Sequence, residues 1–176
     1  MASWEHLQHQ FIDYRKGEAS VVKPLFGELQ VLLKKFFALK GATGADQEDL
    51  AQDTLLKIHL NRDSFDATRS LKTWVYVIAH RNLIDQWRQQ HDFSTDGQDA
   101  LMEIVDSSAH FGDVIEIRQH LEKILSDLKP FDRNLVYLYG WEELSTKELS
   151  EVTGLSETAV KVKIHRILKG IKEKHL

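Results

Sequence analysis

One break in an otherwise helical pattern constrains this 176-residue chain more than any other feature. Residues 91–113, HDFSTDGQDALMEIVDSSAHFGD, hold six Asp/Glu and no Lys or Arg, and their apolar residues follow no clear period. On either side, apolar residues recur three and four positions apart, as in helices with one buried face. A solvated surface loop is the plain reading of such a stretch. A loop this long is rare inside one compact domain, however, and a domain boundary explains it better. The expected architecture is therefore all-α: a helical domain over 1–90, an acidic linker over 91–113 with a short helical turn near Leu101–Val105, and a second helical domain over 114–176. With only two prolines and nine glycines, few residues are present to interrupt helices.

The first half reads as four helices. Residues 3–16 place Trp4, Leu7, Phe11 and Tyr14 on one face, with Ser3 as N-cap and Gly17 as the stop. A second helix is expected from Glu18 to Leu39, starting or kinking at Pro24, with Leu25, Leu29, Leu32, Leu33 and Phe36 as its stripe. A third, Asp46 to Asn61, begins with Asp46, Glu48 and Asp49 at the positive end of its dipole. Ser70 caps a fourth, whose buried face is Leu71, Trp74, Val75, Ile78 and Ala79.

The second half predicts shorter helices over 114–128, 131–140, 145–153 and 156–174. The last two carry the most specific local signal. Ser145 caps a helix containing Leu149 and Val152, Gly154 turns the chain, Leu155 packs, and Ser156 caps a final helix. A helix, a short glycine turn and a second helix make a helix-turn-helix. Its core is expected from Leu149, Val152, Leu155, Val160 and Ile164, with Ile167 and Leu168 continuing the apolar side of the last helix.

Net charge is −4, which looks unsuited to nucleic acid until it is divided. Residues 91–113 account for −6, and residues 158–176 hold six basic residues against one acidic. The local signs matter more than the sum. Zero cysteines exclude disulfides, thiolate metal sites and a cysteine nucleophile. Nine histidines show no ligand spacing, and no HExxH, phosphate loop or nucleophile elbow occurs, so neither a metal nor a cofactor is expected. No apolar run reaches the roughly 20 residues of a membrane span, and the N-terminus lacks signal-peptide character. A cytoplasmic protein without membrane insertion is the expectation.

Two segments then resemble a known family. EDLAQDTLLKIHLNRDSFDATRSLKTWVYVIAHRNLIDQWRQQ, residues 48–90, resembles region 2 of extracytoplasmic-function (ECF, group IV) sigma factors of bacterial RNA polymerase. LEKILSDLKPFDRNLVYLYGWEELSTKELSEVTGLSETAVKVKIHRILKGIKEK, residues 121–174, resembles region 4. The resemblance implies a non-enzymatic subunit that binds core polymerase and directs promoter-specific initiation. It implies contacts with the β′ clamp helices and β flap, with promoter DNA, and with an anti-sigma factor.

Residue by residue, the resemblance gives Asp46, Glu48, Asp49, Gln52, Asp53 and Leu56 to polymerase binding; their plain reading is a solvated, capped helix start. It gives Phe65, Asp66, Arg69, Lys72, Tyr76, Arg81, Asn82, Asp85 and Arg88 to the promoter −10 element. There melted DNA needs cations for phosphates, walls for bases and amides for base edges. The plain reading of Arg81, Asp85 and Arg88 is an exposed ion-pair ladder, worth a few tenths of a kcal/mol. Ser156, Glu157, Thr158, Lys161, Lys163, His165 and Arg166 are assigned to the −35 element. The family often has arginine where Lys161 and Lys163 stand and a small residue at Val162. A helix-turn-helix regulator independent of polymerase would explain only the second half, and a helical metal hydrolase explains neither.

Overall fold

The computed structural model describes residues 3–90 and 124–175, all helix, turn and loop, with no strand among them. The expected linker and most of the helix over 114–128 lie outside those residues. The chain divides into two compact units, residues 1–37 with 44–91, and residues 38–43 with 92–176.

In the first unit, α1 (Trp4–Arg15) starts where Ser3 Oγ accepts from the His6 amide at 3.2 Å, and it buries Leu7 and Phe11. Gly17, at φ 92°, reverses the chain in a conformation that disfavours other residues. The expected helix from Glu18 is instead a 3-10 turn, Ala19–Val21, followed by α2 (Val22–Leu39). Pro24 thus lies in the first turn of α2, where amides have no intrahelical acceptor and its missing N–H costs nothing. All five stripe residues of α2 are buried.

The third helix, α3 (Gly44–Leu60), begins two residues before the expected Asp46, and α4 (Leu71–Gln90) begins after Ser70, whose Oγ accepts from the Thr73 amide at 3.2 Å. Leu71, Val75 and Ala79 are buried, but Trp74 and Ile78 are only half-buried, contrary to the expected core face. Tyr76 and Leu83 take those places in the core.

The second unit packs α5 (Pro130–Gly140), α6 (Thr146–Thr153) and α7 (Glu157–His175) against one another. Pro130 occupies the first turn of α5. Arg133 is buried, and its guanidinium donates to the carbonyls of Leu125 (2.8 Å), Ser126 (3.3 Å) and Leu128 (3.2 Å). It thereby satisfies acceptors left open where the helical residues 124–126 end. The helix-turn-helix forms with a full capping box between Ser145 and Glu148, a left-handed Gly154 at φ 75°, and Ser156 Oγ accepting from the Ala159 amide. Leu149, Val152, Val160, Ile164 and Ile167 are buried. Leu155 is half-buried and Leu168 is 45% exposed, so the apolar side of α7 is narrower than its sequence suggested.

Glu143, between α5 and α6, is a non-glycine residue at φ 55°. A side chain in that region costs about 1–2 kcal/mol. Glu143→Gly should therefore raise stability by roughly 0.5–1 kcal/mol after the entropy that glycine adds to the unfolded chain. The urea midpoint checks this, and an unchanged or lower midpoint would show that the turn is unstrained.

Candidate polymerase and promoter surfaces

The acidic helix start has two sides. Glu48 faces α2, accepting from Gln30 Nε2 at 2.8 Å, from Lys34 Nζ, and from Gln52 Nε2 at 3.3 Å. The Lys34 hydrogen bond, followed by that of Gln52, holds its carboxyl below the ordinary range. Asp46, Asp49, Gln52, Asp53 and Leu56 are exposed. Asp49, Asp53, Leu56 and Leu60 follow one another at helical spacing, and Leu60, which sequence reasoning missed, is 65% exposed. Its four-residue distance from Leu56 was the available signal.

The −10 candidates separate further. Phe65 is buried, its ring 5.4 Å from Phe11 and 5.3 Å from Trp74. Tyr76 is buried with ring contacts to Trp4 and Phe36. Asn82 is 3% exposed and enclosed by α3: its Nδ2 donates to Thr54 Oγ1 (2.9 Å) and the Leu50 carbonyl (3.3 Å), and Lys57 Nζ donates to its Oδ1. These three residues therefore correct the expectation of a common surface: packing holds them inside the unit. Asp66 forms the turn, accepting from the Thr68 amide (2.9 Å) and hydroxyl (2.7 Å), which hold its carboxyl below the usual range.

Arg69, Arg81, Asp85 and Arg88 are exposed, and the last three share one side of α4. Lys72, nine residues before Arg81, lies about 180° around the helix from it. In its place, Trp74 and Ile78 join the Arg81 side, each half-buried and so half available. An apolar platform beside cations suits unstacked bases and their phosphates.

Helix α1 braces the loop that leads into α4. Gln8 donates to the Ala67 carbonyl at 3.3 Å and accepts from the Leu71 amide at 3.0 Å. Arg15 donates to the carbonyls of Phe65 (2.8 Å) and Asp63 (3.4 Å).

On α7, Ser156, Thr158, Lys161, His165 and Arg166 are exposed. Glu157 instead joins the starts of α6 and α7. It accepts from Thr146 Oγ1 at 2.8 Å and pairs with Lys161 at 2.7 Å, and Lys161 first, then Thr146, holds its carboxyl low. Lys163 is turned toward α5, 3.0 Å from Asp132 and 5.1 Å from the centre of the Phe131 ring.

Residues 25–92 match the Sigma-70 region 2 family and residues 118–170 match Sigma-70, region 4. The ECF RNA polymerase sigma factor SigF of Caulobacter vibrioides (strain NA1000 / CB15N) is 33% identical, over 90% of this chain and 87% of its own. The chain belongs to the ECF sigma factors. SigW of Bacillus subtilis (strain 168), another ECF sigma factor, is 29% identical over 69% of this chain and 71% of its own. The sigma factor RpoE, co-crystallised with the anti-sigma factor NepR from Bartonella quintana, superposes with a TM-score of 0.65 at 25% identity, covering 86% of this chain and 94% of its own. CnrH, solved with the cytosolic domain of CnrY, superposes with a TM-score of 0.62 at 20% identity, over 94% of each chain.

As a sigma factor, the protein is a transcription initiation factor that works with core RNA polymerase on promoter DNA, and it is not an enzyme. Among the described residues no helix is long and apolar enough to cross a membrane, and no cluster of His, Asp and Glu could hold a metal ion.

Two outcomes follow from the buried contacts. Asn82→Ala leaves α3 groups without their partner and should cost about 1–3 kcal/mol in urea denaturation. Arg81→Ala, on the exposed face, should stay within about 0.5 kcal/mol. Equal losses would contradict the burial of Asn82. Because the Glu48 carboxyl is held low, its stabilising contribution is present above the ordinary carboxylate value and disappears as pH falls through the depressed one. The stability gap between wild type and Glu48→Gln should thus close on acidification, which urea midpoints across an acid pH series would reveal.

Proposed function

We propose that residues 1–90 anchor the sigma factor on polymerase and hold melted −10 DNA, and that 114–176 bind the −35 duplex, with 91–113 as their connection. The observation that carries the anchor is the outward stripe Asp49, Asp53, Leu56 and Leu60 on α3, flanked by exposed Asp46 and Gln52. Carboxylates around apolar side chains complement basic helices with an apolar centre, as expected for the β′ clamp helices. Glu48 supports this face by tying α3 to α2.

For the −10 element, Arg69, Arg81, Asp85 and Arg88 supply the polar contacts, and Trp74 with Ile78 supplies the stacking wall. Phe65, Tyr76 and Asn82 act from beneath, by fixing the loop and helix, and exposed Asp66 shapes the loop through Thr68. Ser156, Thr158, Lys161, His165 and Arg166 face the −35 duplex, while Glu157 and Lys163 set the angle of α7. The second unit also meets the β flap.

The relatives RpoE and CnrH were each solved as complexes, RpoE with an anti-sigma factor. This supports control of the present protein by an anti-sigma factor that competes with polymerase for the same faces, in the cytoplasm where transcription occurs.

Reversing Asp49 and Asp53 to lysine should weaken core binding at least tenfold while leaving the unfolding free energy in urea within about 0.5 kcal/mol of wild type, since both side chains are exposed. Affinity measured by competition with another sigma factor checks it. Full retention of core binding would remove α3 as the anchor.

A further inference from the structure

One apolar side chain of α7 points away from the buried ridge of its helix. Val162 is 44% exposed, although its neighbours Val160 and Ile164 are buried against α5 and α6. At 100° per residue, Val162 points about 160° away from each of them, to the opposite side of the helix. Single exposed apolar residues are common, and exposure alone would mean little. Its surroundings are more specific. Thr158, His165 and Lys169 share its outward face, and Lys161 and Arg166 flank it, all exposed. Leu168, the other exposed apolar residue of α7, differs because it sits at the edge of the buried ridge. Valine is also a poorer helix former than the long polar residues around it, so local stability does not favour it there.

We infer that Val162 is a specificity-determining residue that packs on the 5-methyl group of a thymine in the −35 element. This rests on the reading of α7 as the helix that enters the major groove. In that groove thymine alone among the four bases presents a methyl group, and an apolar side chain is its natural partner. Surrounding cations hold phosphates on both strands and bring the valine to the groove floor, where its methyl groups lose water only against another apolar group. A polar residue at this position would lack that preference. The inference gives this chain a base preference that its cations, as phosphate ligands, do not encode.

The test uses holoenzyme assembled from the full chain and core polymerase. A duplex promoter fragment is selected from a pool randomised across the −35 element. Each selected thymine is then replaced singly by deoxyuridine, which removes the methyl and keeps every hydrogen-bonding group. With wild type, one position should lose about fourfold in affinity, the scale of one buried methyl. With Val162→Ser holoenzyme the same replacement should change affinity by less than about 1.5-fold, within the scale of a lost contact. Selection of elements without thymine, uniform tolerance of deoxyuridine, or the same loss in wild type and Val162→Ser would each overturn the inference. The underlying reading has a separate readout. Lys161→Ala with Lys169→Ala should reduce the salt slope of binding by about two. An unchanged slope would remove α7 from the groove altogether, whereas a reduced slope without a methyl effect would overturn the role of Val162 alone.

Discussion

The contact on which the first unit depends is the aromatic cluster of Phe11, Phe65 and Trp74. The three rings lie with centroids 5.3–5.5 Å apart and come from α1, the loop and α4. Tilted and edge-on rings at this spacing gain more than buried area alone. Phe65 therefore pins a loop whose regular structure is one 3-10 turn, Arg62–Ser64, and Gln8 and Arg15 complete the hold through backbone carbonyls and an amide. A loop fixed in this way holds Arg69 and Trp74 in one arrangement, so under the proposed −10 role neither would have to be ordered on binding. Preorganisation of that kind lowers the entropy cost of binding.

Polar groups buried between α3 and α4 serve a related end. Asn82 joins Leu50, Thr54 and Lys57, so the helix assigned to polymerase and the helix assigned to melted DNA are linked by hydrogen bonds as well as by packing. A hydrogen bond specifies one register where apolar contact tolerates several. Movement of one helix along the other would break the set together. In the second unit, Glu157 does comparable work, fixing the start of α7 against α6 while the apolar ridge of Val160, Ile164 and Ile167 fills the angle between helices.

Helix positions were largely legible in the sequence because capping and periodicity are local. Ser3, Ser70, Ser145 and Ser156 each cap where expected, and Gly154 adopts the left-handed turn. The start of α2 was less legible. Val22 is compatible with either helix or turn, and the chain makes a 3-10 turn, Ala19–Val21, before it. The outward stripe of Asp49, Asp53 and Leu56 on α3 was legible too, since residue spacing on one helix determines which side chains share a face.

What the sequence by itself determined is the all-helical class, the two region-like segments, the caps and the charge of each surface, because each depends on residues close together in the chain. The tertiary structure decided which side of a helix is inside. Asn82 and Tyr76, expected at a surface, are buried, and Trp74, expected in the core, packs on Phe11 and Phe65 yet stays half-buried, since a neighbouring helix and not the helix itself determines which face loses water. The same holds for Glu48, Glu157 and Lys163, whose charges are engaged by Lys34, by Thr146 and Lys161, and by Asp132. A charge free in sequence becomes a brace or a contact surface only when folding brings, or withholds, its partner.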